Sequence, residues 1–282
     1  MRRAPLTTTH PHGYVLARSD RKLGLVRISK NASTESKARL RCVDWVAFGQ
    51  FAGPSVAFVR EPFARFISSL PETILRMTQM QIAEPDRQDR VIIPEDIHTE
   101  LLAVAKAPID VIARTFLEAV EYAFFDAHHE PQVNFLCDRQ MRLRIDPRLY
   151  PTESFEQSLN QIENWLKIDT APAGQKSNKG GAKPLKGRNG AIDLVRLLTR
   201  SGVYRRVGHS GLLGLRYGSE DGPITLRELN GFANRFTTEL KAAELGADFR
   251  RRVLKLYETD EELWNAVRER DGDVHASAVW PA

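Results

Sequence analysis

The chain has 282 residues, 42% apolar and 27% charged, with a formal net charge of +5 and a sequence pI near 9.3. This is the composition of a soluble globular protein with length for one large domain or two smaller ones. The basic balance favours anionic ligands without distinguishing a nucleotide, an acidic glycan and nucleic acid. No apolar run approaches the ~20 residues of a membrane-spanning helix, and the opening MRRAPLTTTH lacks the apolar core of a secretory signal. Cys42 and Cys137 are the only cysteines, which argues against a disulfide framework, excludes a cysteine-rich zinc site and fits a reducing compartment.

In chain order, residues 1–20 are expected to be an irregular lead-in. Leu23 to Ile28 reads as a short strand, Ser29 to Ser36 as a small, polar loop, and the stretch to about Phe48 as helix. Ser55 to Val59, apolar after Gly53-Pro54, reads as a central strand. It runs into a helix that starts at Pro62, where the missing N–H costs nothing, and reaches about Gln81. Residues 82–94 are loop-like around a weak strand at Val91 to Ile93, and helical periodicity covers Glu95 to about Phe125, divided near Pro108. Beyond the His128–Gln132 turn lie an apolar patch at Val133 to Cys137 and short strands within Met141 to Tyr150. Phe155 to Leu166 is an amphipathic helix with Phe155, Leu159, Ile162 and Leu166 on one side. Residues 171–190, rich in Gly, Lys, Asn and Pro, read as a loop, with helices again at 191–200 and from about Leu226 to Arg268. Strand and helix alternating at the start predict an α/β fold with a mainly parallel sheet.

Two strand–loop–helix units carry the chemistry. The loop Ile28-Ser29-Lys30-Asn31-Ala32-Ser33-Thr34 has small residues that let backbone N–H groups approach an anion, hydroxyls at Ser33 and Thr34, and the point charge of Lys30. It lacks the glycine pattern of a Walker A loop. The second unit, Arg60-Glu61-Pro62-Phe63-Ala64-Arg65-Phe66-Ile67-Ser68, puts Arg60 at a strand's carboxyl edge beside a helix start, with Arg65 and Ser68 on one helix face. A spacing of about 30 residues is one βαβ unit, which would set Lys30 and Arg60 on the same sheet edge. That arrangement fits a nucleotide charged at two ends.

These residues resemble the sulfotransferases, in particular their carbohydrate-sulfotransferase branch, whose donor is 3′-phosphoadenosine 5′-phosphosulfate. Lys30 to Thr34 is similar to the family's 5′-phosphosulfate loop, and Arg60 to Ser68 to its 3′-phosphate motif Arg-Asp-Pro-x-x-Arg-x-x-Ser. His128-His129-Glu130-Pro131-Gln132 resembles a His-Trp-x-Pro-Gln segment, and Leu256 to Asp260 part of a C-terminal helix motif. The resemblance covers about half the chain. It departs at Glu61, where Asp is usual, at His129, where Trp is usual, and at Leu70, where an aromatic is common; residues 185–245 match nothing and read as a variable insertion.

The resemblance implies a P-loop-like three-layer sandwich over residues 21–282 and in-line sulfuryl transfer from that donor to a hydroxyl of a saccharide or glycolipid. It implies donor binding by Lys30, Asn31, Ala32, Ser33, Thr34, Arg60 and Ser68. Asn178, in Ser177-Asn178-Lys179-Gly180-Gly181, stands where relatives have an Asn- and Ser-bearing loop near the adenine. Lys30 stabilises developing charge and His128 is the general base, with adjacent His129 able to serve instead. No metal and no nucleic-acid partner are expected, the only membrane contact left open is peripheral, and the expected setting is the cytoplasm. The competing reading is a non-catalytic binder of acidic glycan or RNA, drawing on Lys176, Lys179, Lys183, Lys186 and Arg188.

Overall fold

A computed structural model describes residues 12–79, 90–91, 105–122, 124, 128–138, 140–173, 216–218, 224–270 and 272–280. The chain divides into two compact units. One comprises Met1–Pro5, Phe66–His129 and Asn178–Val253, and the other Leu6–Arg65, Glu130–Ser177 and Leu254–Ala282.

The second unit holds an open, mixed six-stranded sheet. Its strands are β1 (Tyr14–Arg18), β2 (Gly24–Val26), β3 (Cys42–Ala47), β4 (Ser55–Val59), β6 (Arg148–Pro151) and β8 (Val274–His275), in spatial order β3-β1-β2-β4-β6-β8. The centre is parallel: Leu25 pairs with Val56, and Phe58 with Tyr150. Both flanks are antiparallel, β1 to β2 and β3 on one side and β8 to β6 on the other. All five residues of β4 are buried, as a central strand requires. Helix α4 (Phe155–Leu166) packs on the face formed by Leu25, Val56, Phe58 and Tyr150, to which it adds Leu159 and Ile162. The Phe155 ring lies 4.9 Å from that of Phe58. Helix α7 (Glu258–Glu269) also packs against β4 and β6. Gly24 is required where β2 begins, because a Cβ there would stand 2.7 Å from the Phe51 ring.

The first unit contains α2 (Pro62–Gln79) from Phe66 onward, α3 (Ile109–Tyr122), α5 (Leu226–Ala242), α6 (Gly246–Leu256) up to Val253, and a ribbon of β5 (Arg90–Val91) with β7 (Ile224–Thr225). Its core gathers Phe66, Phe116 and Phe249, with ring separations of 5.7 and 6.0 Å. Arg252 closes a bidentate pair with Glu121 at 3.0 and 2.7 Å.

Two expectations are corrected. Tyr14–Arg18 is not an irregular lead-in but a strand inside the sheet, paired on both edges. The stretch up to Phe48 is helical only in α1 (Ser33–Arg39), after which Cys42–Ala47 is a strand. Val43, Trp45 and Val46 are β-branched or aromatic, and β1 offers the backbone partners that local periodicity does not reveal. Of the remaining expectations, Asn178 and the 191–200 helix lie outside the described residues. No described helix is long and apolar enough to cross a membrane.

Candidate functional site

The parallel pairing of β2 with β4 brings the residues after both strands to one edge of the sheet. Lys30 and Arg60, thirty positions apart, meet there: the Arg60 guanidinium donates through Nη1 to the Lys30 carbonyl at 3.1 Å. Arg60 is half-buried, and loss of water pulls its basicity down against the pull of Glu153 and Glu61. Arg27, just past the end of β2, is half-buried too, and burial lowers its pKa as well. Three cationic residues, Arg27, Lys30 and Arg60, therefore follow the carboxyl ends of two adjacent parallel strands.

The loop after β2 has an uncommon backbone. Lys30 has φ +66° and Ala32 +52°, left-handed values that cost a residue with a Cβ about 1–2 kcal/mol each. Left-handed residues alternating along a loop turn successive N–H groups toward one side, the geometry of an anion-binding nest. Strain of this kind persists where surrounding structure enforces it, often at ligand sites. Among the described residues, two buried polar atoms of the same loop, Ser29 Oγ and Asn31 Oδ1, have no hydrogen-bond partner. Ser33 is half-buried and Thr34 exposed. These features fit a phosphate-bearing ligand.

The second strand end continues into α2. Pro62 occupies the first helical position, and the Glu61 carboxylate accepts the N–H of Ala64 at 2.5 Å, a cap on the free donors of the first turn.

Beneath both loops lies a buried polar network that sequence reasoning did not find. Gln132, in a 3-10 turn over Gln132–Phe135, is 0% exposed. Its Oε1 accepts from Arg60 N at 2.9 Å and from Asn31 Nδ2 at 2.5 Å, and its Nε2 donates to Arg60 O at 2.9 Å. Asn31 Nδ2 also donates to Phe58 O at 2.7 Å. Asp260 of α7 accepts the backbone N–H groups of Gln132 and Val133 at 2.8 and 3.1 Å. Arg65 faces Asp260 electrostatically and donates to Ser29 O at 3.0 Å. Burial raises the Asp260 carboxyl above its usual range, while Arg65 and the two N–H bonds pull the other way. A second buried group holds the next residues: Glu130 accepts from Asn134 Nδ2 at 3.1 Å and meets His12 Nε2 at 3.0 Å.

Two residues therefore differ from their expected place. The Asn31 amide points inward and is consumed by Phe58 and Gln132, leaving its backbone for any ligand. Arg65, read as lying beside Ser68 at an anion site, is 1% exposed and belongs to the network instead. The only signals for that network in the sequence were Gln132 and Asp260 in the two downstream segments, without any indication that they meet.

Ser68 and His128 belong to the first unit. Ser68 is half-buried on α2. His128 and His129 are 6% and 0% exposed, and the His129 ring stands edge-on to Phe116 at 5.6 Å. Among the described residues, no group of three or more His, Cys, Asp or Glu side chains is placed to hold a metal ion. Compared with family models, curated proteins and solved structures, the chain matches none of them.

Proposed function

We propose that the chain is a sulfotransferase that moves a sulfuryl group from 3′-phosphoadenosine 5′-phosphosulfate to a hydroxyl of a saccharide or glycolipid, on a P-loop-like α/β core. The observation that carries the reading is the meeting of Lys30 and Arg60 at the ends of two adjacent parallel strands, beside a loop with left-handed backbone at Lys30 and Ala32. Ligands of open α/β sheets bind outside the carboxyl ends of such strands.

In this reading the Lys30 loop holds the phosphosulfate end, and Arg60 with Ser68 holds the 3′-phosphate. Ser68, His128 and Asn178 are assigned their roles by resemblance alone, Asn178 at the adenine end. The acceptor oxygen forms a bond to sulfur as the bond from sulfur to the phosphate oxygen breaks, and the acceptor's proton passes to His128. The loop N–H groups and the Lys30 ammonium offset charge on the departing phosphate oxygen; the protein's other contribution is alignment.

The test is calorimetric titration with adenosine 3′,5′-bisphosphate and with adenosine 5′-monophosphate, followed by labelled-sulfate transfer to a panel of saccharides. Preference for the bisphosphate, lost in Arg60→Ala, supports the reading. Equal or absent binding of the two nucleotides removes it. Binding of RNA or acidic glycan that weakens steeply with salt and ignores the nucleotide would favour a non-catalytic binder instead.

A further inference from the structure

We propose that Gln132 is a positioning residue that sets the separation of the Lys30 loop and the Arg60 strand end, and so makes the site select a ligand with anionic groups at both ends over one with a single anion. The inference rests on the nucleotide reading above and assigns the selectivity of that site to a side chain beneath it.

Both polar ends of the Gln132 carboxamide are used. Its oxygen accepts from Arg60 N and Asn31 Nδ2, and its nitrogen donates to Arg60 O. Toward Arg60 it behaves as a neighbouring strand would, pairing with both the N–H and the C=O just past the last residue of β4. Toward Asn31 it reaches the other loop. The bridge is needed because Lys30 and Arg60 both carry positive charge at the ends of strands spaced about 4.8 Å apart. Their repulsion in partly desolvated surroundings favours splaying of the two loops. A neutral amide can join the loops without adding a charge that would cancel the attraction for an anion.

The bridge is itself held. Asp260 grips the N–H groups of Gln132 and Val133, so the turn cannot slide along the sheet edge. Arg65 offsets the Asp260 charge and ties back to Ser29 O, one residue before Lys30. The path Ser29–Arg65–Asp260–Gln132–Asn31 is closed within one compact unit. Its members come from four separate stretches of chain, counting Asn31 with Ser29 and Arg60 with Arg65. A closed path has one low-energy spacing, and a ligand that bridges both loops must match it.

The experiment compares wild type, Gln132→Leu and Gln132→Glu by calorimetry with adenosine 3′,5′-bisphosphate and adenosine 5′-monophosphate, alongside thermal unfolding. Leucine keeps the approximate volume and removes every bond; glutamate keeps an acceptor and removes the donation to Arg60 O. The expected result is at least a tenfold loss of bisphosphate affinity in Gln132→Leu, with monophosphate affinity within twofold of wild type. Gln132→Glu should also lower the bisphosphate-to-monophosphate ratio, because its carboxylate cannot donate to Arg60 O and adds the negative charge that the amide avoids. Should Gln132→Leu fail to fold, Gln132→Met, which also removes every bond and adds no charge, takes its place and its ratio decides. A loss shared equally by both ligands marks a purely structural residue and overturns the proposal, as does an unchanged ratio. If wild type prefers neither nucleotide, the sulfotransferase reading falls and this inference with it. If wild type prefers the bisphosphate and the ratio survives substitution, only the inference falls.

Discussion

The Nε–H of Arg65 donates to the carbonyl of Ser29 at 3.0 Å, joining the first turn of α2 to the loop that precedes Lys30. Arg65 is almost wholly buried and shares its interior with the carboxyl of Asp260. Removing one partner of a buried pair leaves the other charge without compensation. Arg65→Met should therefore lower stability by about 3–5 kcal/mol. The deficit should shrink as pH falls, since protonation of Asp260 removes the stranded charge. Arg65→Met with Asp260→Asn should recover part of the loss in urea unfolding; strictly additive effects would show that the two residues are not coupled.

Lys30 separates backbone from charge. Its φ of +66° suits glycine better than any other residue. Lys30→Gly should keep stability within about 1 kcal/mol of wild type, because relief of the left-handed strain offsets the added chain entropy. Under the proposed function the same change removes the ammonium and should lower sulfuryl transfer by about 10²–10³-fold. Denaturation and turnover measured on one preparation check both halves, and an active Lys30→Gly enzyme would take Lys30 out of the chemistry.

The cysteines should be inert in the folded protein. Burial pushes the Cys42 thiol up to about 12 and the Cys137 thiol up to about 11, so neither holds appreciable thiolate at pH 8. An aromatic disulfide reagent should label both only after denaturation. Because both folded values are raised, their contribution to stability is complete below the unfolded thiol range. It is lost as pH climbs from about 9 toward 11 and 12. Rapid labelling of native protein at pH 8 would contradict the burial of either site.

Arg39 and Glu156 form a bidentate pair at 2.8 and 3.0 Å, but Glu156 is 68% exposed. The hydrogen bonds to Arg39 lower the Glu156 carboxyl, so its contribution is present above the usual carboxylate range and lost as pH falls. Water screens it, and Glu156→Gln should cost no more than about 0.5 kcal/mol. Chemical denaturation at pH 7 and pH 3 should show a difference at the first and almost none at the second.

Phe58 tests the core. Its ring is 1% exposed, between those of Phe155 and Tyr150. Phe58→Ala should destabilise by about 3–5 kcal/mol, and Phe58→Leu by less. Equal losses would mean that the site collapses around either substitution.

Local chemistry was enough to predict Ser55–Val59 as a buried strand, a helix from Pro62, and Phe155–Leu166 as an amphipathic helix, and all three are present. Each is written in short-range terms: an apolar run, a proline with φ already set, a stripe at helical spacing. The shared edge of Lys30 and Arg60 was also accessible, since one βαβ spacing separates them. The tertiary structure decided the rest. Tyr14–Arg18 and Cys42–Ala47 are strands because each finds the other's backbone, which no local pattern states. Gln132 and Asp260 are joined across 128 positions, and the burial of Arg65, Gln132 and Asp260 exists only once the sheet and α7 have met. Hydrogen bonds among buried polar groups depend on three-dimensional placement rather than order along the chain. The two loops could therefore be read from sequence, and the network that spaces them could not.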